Sequence, residues 1–210
     1  MTAISRRLVL AAAFAIGGAT RARAAAVPGA AAPGFRTLDA DGHARSLAEF
    51  AGRILVLEWT SSGCPYSHKH YGSGTMQALQ KAAVRDGVVW LTVSSSAQDR
   101  EGYFTPASAR AWRARVGSRA TAILLDSAGV IGRAYGARTT PHMFIVDRTG
   151  RIAYMGGIDD RPYADPASLK GAKPYVALAL ADLRAGRAVA QPVSAPYGCS
   201  VRYASATGLP

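Results

Sequence analysis

Apolar residues along this chain gather into short unbroken runs, and between the runs they recur every three or four positions. The first run, Arg53 to Trp59, has no polar alternation, as expected of a central strand buried on both faces. From about Cys64 to Arg85 a helix is expected. Gly72, Ser73 and Gly74 break or bend it early, Met76, Leu79, Ala83 and Val84 form its core face, and Gly87 ends it. Val88 to Val93 is the next strand, and a strand–helix–strand unit predicts parallel pairing. Thr105-Pro106-Ala107-Ser108 opens a second helix running to about Val116. Ala122 to Leu125 reads as a short strand and Val130 to Tyr135 as helix. His142 to Val146 and Ile152 to Met155 flank Arg148-Thr149-Gly150 as a hairpin, and a last helix spans roughly Tyr175 to Ala185. Ahead of all this, Asp39-Ala40-Asp41-Gly42 is a turn signal between two short segments, and Ser46-Leu47-Ala48-Glu49 matches a capping box. The class is α/β, and no internal repeat is present.

The ends of the chain differ in kind. Residues 1–24 carry Arg6-Arg7, an apolar stretch to Ala19, then Arg21 and an Ala22-Arg23-Ala24 cleavage-like site, the pattern of an export signal. The apolar part is short for a bilayer span, so a permanent anchor is the weaker alternative. The arginine pair resembles a twin-arginine signal, with the general secretory route open beside it. Residues 25–34, rich in Ala and spaced by Pro and Gly, read as a linker, 35–186 as the domain, and 187–210 as a tail. Losing the signal takes four arginines and lowers the formal net charge from +12 to +8. The rest shows no Lys/Arg-rich block and no aromatic platform among basic residues, so a solvated basic surface is expected rather than nucleic-acid binding. Attraction to anionic lipid or cell-wall polymer stays open. The remaining ~186 residues suffice for one domain with its own core.

Candidate chemistry centres on Cys64, which follows the first apolar run and opens a helix in the order Cys64-Pro65-Tyr66-Ser67-His68-Lys69-His70. Unpaired N–H groups at a helix start carry partial positive charge and favour thiolate over thiol. Pro65 fits the first helical position. His68, one turn on, and Lys69 add donors or positive charge. The competing reading is a buried structural cysteine. The second cysteine, Cys199, lies 135 positions further on, in the tail. A bridge between them would stabilise by on the order of 4 to 5 kcal/mol on the chain-entropy model, yet a helix-start thiolate leaves readily and would make it labile. A redox pair, a static staple, pairing with a partner protein and two independent thiols are the alternatives.

Residues 33–186 resemble the thioredoxin superfamily, specifically the peroxiredoxin-like branch of the alkyl hydroperoxide reductase and thiol-specific antioxidant (redoxin) family. The likeness rests on the entry segment ending Ser46-Leu47-Ala48-Glu49-Phe50-Ala51-Gly52, the strand with Trp59, Cys64-Pro65, and Thr140-Pro141 before a strand. It implies a thioredoxin-like fold, a central mixed sheet flanked by helices, with an N-terminal hairpin and the C-terminal tail added. It also implies a cis Pro141 facing Cys64 across a substrate groove. Glu58 stands where thioredoxins place a buried proton-handling acid; a polar residue on the solvent side of a strand end is the alternative.

Two departures matter. Ser67 replaces the second cysteine of a Cys-x-x-Cys pair, so Cys64 corresponds to the attacking thiol and lacks a neighbour to resolve a mixed disulfide. Ser61 stands where true peroxiredoxins place Thr three residues before the reactive cysteine, and no Pro occurs at Glu58-Trp59.

Cys64 is thus expected to be a single exposed nucleophile, with Cys199 as the candidate resolver. Gly198 permits close approach, and Tyr197 and Tyr203 pack the tail onto the domain; an unpacked tail with an idle Cys199 is the alternative. Convergence of Cys64, His68, His142 and Cys199 on Cu(I) or Zn(II) is a further alternative. His43 is expected to be solvated and His70 structural. The expectation is an exported, periplasmic, soluble redox protein acting by thiol-disulfide exchange or by reducing an oxidant. It needs no cofactor or resident metal, pairs with a redox partner protein or a small oxidant, and enters neither nucleic-acid complexes nor the bilayer. A peroxiredoxin-type antioxidant peroxidase and a non-enzymatic metal- or thiol-binding module are its rivals. Loops 95–105 and 159–173 line the groove and carry no recognisable motif.

Overall fold

The computed structural model describes residues 26–205; the expected signal, 1–24, lies outside them. A short hairpin of β1 (Arg36–Leu38) and β2 (Ala44–Ser46) leads into a 3-10 turn at Leu47–Phe50. Then come β3 (Leu55–Trp59), α1 (Pro65–Gly72), α2 (Thr75–Arg85), β4 (Val89–Ser94), α3 (Pro106–Val116), β5 (Ala122–Leu125) and α4 (Val130–Tyr135). The two-residue β6 (Thr139–Thr140), β7 (His142–Val146), β8 (Ile152–Gly156), α5 (Tyr175–Arg184) and β9 (Cys199–Ser200) complete the chain. The main sheet runs β5-β4-β3-β7-β8, with β3, β4 and β5 parallel and β7 and β8 antiparallel. This is the mixed, helix-flanked thioredoxin-like sheet that the resemblance implies.

The unbroken apolar runs have a simple cause: alternate residues of each strand feed two cores. Val56, Trp90, Ile123 and Ile145 face α2, α3 and α5, whereas Leu55, Leu57, Trp59, Leu91 and Phe144 face α4 and the entry segment. Trp59, Tyr135 and Phe144 meet in the second core with ring centroids 5.2 to 5.5 Å apart. The helix expected from Cys64 to Arg85 is two helices, because Gly74 takes φ 78°, a conformation glycine enters without strain.

Two capping signals had different fates. At α3, Thr105 Oγ1 accepts from Ser108 N–H while Ser108 Oγ accepts from Thr105 N–H. The capping box expected at Ser46–Glu49 does not close: Ser46 makes no side-chain cap bond, and Arg45 holds the Glu49 carboxylate instead.

Residues 26–34, read above as a linker, lie along the start of β8, where Gly29 N–H donates to Ile152 O and Ile152 N–H to Ala30 O. Among the described residues no helix is long and apolar enough to cross a membrane. The tail is packed through its described residues, 187–205, which overturns the alternative of an unpacked segment there. It follows β8 at Met155, whose N–H donates to Pro192 O and whose carbonyl accepts from Ser194 N–H. It then crosses the carboxyl ends of the parallel strands. There β9 pairs antiparallel with β6, Thr139 opposite Ser200 and Thr140 opposite Cys199.

Candidate active site

Cys64 is the N-cap of α1, with Pro65 first in the helix. β3 delivers it to the edge of the sheet, and Thr140-Pro141, joined by a cis peptide bond, lies across from it. The Cys64 thiol donates to Thr140 O at 2.8 Å. Burial pushes this thiol up, and that is the largest single influence. It is outweighed by donors that stabilise the thiolate: the Cys199 thiol, Thr140 hydroxyl, and the backbone N–H groups of Ser67 and Cys199. Cys64 is therefore held below the ordinary cysteine value.

Cys199 is driven the other way, up to about 12, by burial, by its hydrogen bond and charge interaction with Cys64, and by Glu101, with Arg202 opposing. The pair titrates unequally, with Cys64 ionising before Cys199. Both cysteines are free thiols.

The expectation of an exposed nucleophile needs correction. Cys64 is 1 % exposed, because β9 lies over it. The supporting residues are distributed unevenly around the sulfur. Ser67 is buried one turn into α1, where its N–H points at the sulfur and its hydroxyl meets Thr60 at 3.2 Å. His68 is exposed and turns its Nε2 to Ser62 O at 2.6 Å. Lys69 is fully buried and directed away from the sulfur, its ammonium donating to Arg161 O (2.7 Å) and Tyr197 Oη (3.3 Å) with Asp159 at 3.9 Å. Burial lowers its pKa, and Asp159 resists that.

Glu58 is completely buried, which removes the solvent-side alternative. Tyr71 Oη, Gln80 Nε2, Trp90 Nε1 and Thr92 Oγ1 all donate to its carboxyl group. Burial still dominates over these donors and raises it to about 7. None of these contacts is to Cys64.

Several neighbours of the site carried no signal of their own in the sequence. Asp159 sits at the centre of a buried cluster in which Tyr197 Oη donates to its carboxylate, His70 Nε2 meets Tyr197 Oη at 3.1 Å, and Lys69 approaches both. Burial brings His70 down to about 4, with Asp159 opposing and Lys69 adding to the shift. Glu101 comes from the 95–105 loop to Gly63 and acts on Cys199. Only the position of Asp159 and Glu101 in the two groove loops hinted at them.

The metal alternative required Cys64, His68, His142 and Cys199 to converge. They do not: His142 is buried against Phe144 (centroids 4.5 Å), with Nδ1 accepting from Arg138 N–H. Among the described residues no group of three His, Cys, Asp or Glu side chains is placed to hold a metal ion.

Residues 28–155, from the entry segment through β8, match the model of the AhpC/TSA family. The chain belongs to the AhpC/TSA family. Its solved structural neighbours share the fold of this AhpC/TSA chain at low identity. An uncharacterised conserved protein from Geobacillus kaustophilus is 22 % identical with a TM-score of 0.75, covering 87 % of this chain and 95 % of its own. A hypothetical protein from Sinorhizobium meliloti is 24 % identical with a TM-score of 0.69, covering 85 % and 96 %. A putative thiol:disulfide interchange protein DsbE from Chlorobium tepidum is 22 % identical with a TM-score of 0.50, covering 61 % and 83 %. No curated protein matches the sequence. Within the AhpC/TSA frame this chain places Cys64 at a helix start, and Cys199 reaches the same edge from the far end of the sequence.

Proposed function

We propose that this protein is an exported thiol-disulfide exchanger in which Cys64 attacks and Cys199 resolves. The observation that carries the reading is the placement of both cysteines on Thr140, Cys199 opposite it in the β6–β9 pair and the Cys64 thiol bonded to its carbonyl, with the ionisation biased toward Cys64. The Cys64 thiolate attacks one sulfur of a partner disulfide; that S–S bond breaks and one partner thiolate leaves. Cys199 then passes its proton to that thiolate and attacks the Cys64 sulfur, forming the Cys64–Cys199 disulfide and expelling the second partner thiolate. The partner gains two electrons, and a dithiol reductant restores the pair. Pro141 shapes the groove beside the sulfur. Ser67 supplies an N–H to the thiolate, and Glu58, titrating near neutral pH, stores a proton below the sheet end. His68 steadies the loop before Cys64 through Ser62 O, and Lys69 acts on the tail.

Peptide mapping without reductant, after oxidation by a low-molecular-weight disulfide, tests this. The expected product is one intramolecular Cys64–Cys199 linkage. Separate adducts on the two cysteines, with no linkage, overturn the reading. Export through residues 1–24 rests on the arginine pair and the cleavage-like site. Amino-terminal sequencing of protein recovered from the producing cell checks it, with a new terminus near Ala25 expected.

A further inference from the structure

Three segments meet beside the two cysteines: the turn Ser61-Ser62-Gly63 that leads into Cys64, the 95–105 loop, and the tail strap, residues 197–203, which carries Cys199. The loop is tied to both of the others. Ala97 N–H donates to Arg202 O at 2.8 Å, which joins it to the strap. On the other side Gly102, at φ +83°, lies so close to Ser61 and Ser96 that a side-chain carbon there would collide with both hydroxyls, and its carbonyl accepts from Ser94 Oγ at 3.1 Å. The neighbouring residue is Glu101, whose side chain runs along Gly63: a side-chain carbon at Gly63 would strike the carboxylate. The missing side chain at position 63 thus admits an acid next to the residue that attacks.

Resolution requires Cys199 to lose a proton. Burial, together with the bond and charge of Cys64 and the charge of Glu101, pushes its thiol up to about 12, so little free thiolate exists near neutral pH. Once Cys64 is held in a mixed disulfide its charge is gone, and of the charged groups acting on Cys199 only Glu101 and Arg202 remain. A guanidinium accepts no proton. The buried acid Glu58 is held by Tyr71, Gln80, Trp90 and Thr92.

We propose that Glu101 is the general base of the resolving step, taking the proton of Cys199 as that sulfur attacks. This deepens the exchanger reading and rests on it for the cycle. The Cys199 S–H bond breaks toward the Glu101 carboxylate, and the sulfur electron pair forms the bond to Cys64. The bond from Cys64 to the partner breaks, and its pair leaves on the partner sulfur. Glu101, which is exposed, then hands the proton to the departed first thiolate and is unchanged over the cycle.

The test uses the reduced full-length chain and one equivalent of dithiodipyridine, an uncharged disulfide, in stopped flow. The first thiopyridone released reports attack by Cys64, and the second reports resolution by Cys199. Glu101→Gln is expected to lower the second rate against the first about tenfold or more near neutral pH. The deficit should shrink as pH rises and hydroxide takes over from the base, since Cys64, Glu101 and Arg202 are the groups whose charge acts on Cys199. Glu101→Asp, which keeps a carboxylate, is expected to recover part of the loss, and Asp99→Asn, in the same loop, to show none. A deficit equal at every pH would reduce Glu101 to a structural role and overturn the proposal. So would an unchanged second rate, or a faster one, which would show that the carboxylate only holds Cys199 protonated. Absence of a second release from the parent chain would instead overturn the exchanger reading itself.

Discussion

Cys64 and Cys199 both lie against Thr140, but they belong to regions built on different terms. Cys64 is fixed by a central strand, a helix start and two cores; Cys199 rides on a strap held by two tyrosines and a few backbone hydrogen bonds. The ionisation follows the framework. Donors at the helix start and the strap converge on Cys64, while Cys199 faces the Cys64 charge and Glu101. One residue type therefore acquires two reactivities, set by which backbone N–H groups point at the sulfur.

The sharpest break in this comparison is Cys64→Ser, which should reduce turnover of a model disulfide by about a thousandfold or more while circular dichroism stays unchanged. Retained turnover would mean that Cys199 works alone.

Glu58 probes the rigid side through stability. Its folded pKa of about 7 lies above the ordinary 4.5, so the native state keeps a proton that the unfolded chain releases. The stabilisation from that proton is complete below pH 4.5 and is lost as pH rises through about 7. Against Glu58→Gln, which does not titrate, the wild type should lose about 3 kcal/mol across that window in denaturant melts. An equal difference at both ends would show that folding leaves the Glu58 pKa where the unfolded chain has it.

On the strap side, Cys199→Ser should cut steady-state turnover about a hundredfold yet leave one fast turnover that ends in a trapped mixed disulfide. Full steady-state activity would remove the resolver from the cycle. The smallest effect is expected from Tyr197→Phe, which keeps the ring but deletes the hydroxyl that meets Asp159, His70 and Lys69, and which should raise Cys64 alkylation roughly fivefold, a net loss of about 1 kcal/mol, in the Cys199→Ser background. No change would place the strap's hold elsewhere.

Much of the rigid side was legible in the residues. Runs such as Leu55–Trp59 and Val89–Ser94 declare buried strands because both faces are covered, and the break at Gly74 was marked by its glycines. The cis Pro141 came from resemblance alone, since a proline opening a strand has no local mark of its isomer.

Long-range cover was not legible. Glu58 draws its donors from 13 to 34 positions away, and Lys69 meets Tyr197 across 128 positions. Lys69 also illustrates helical geometry: five residues past Cys64 is about 140° around the axis, which carries the ammonium to the Asp159 side. The burial of Cys64 depends on a segment whose sequence shows only tyrosines, glycine and proline, residues equally at home in a solvated tail.

The seat that receives Tyr203 is made of absent side chains at Gly129 and Gly132, the carbonyl of Ala137 and the Arg133 guanidinium 4.8 Å from its ring centroid. So spare a receptor makes the strap portable. Grafted onto another domain with this sheet order, a segment of about ten residues would convert a one-thiol scaffold into a two-thiol one, provided the host supplies two glycines for the ring and leaves both cores untouched.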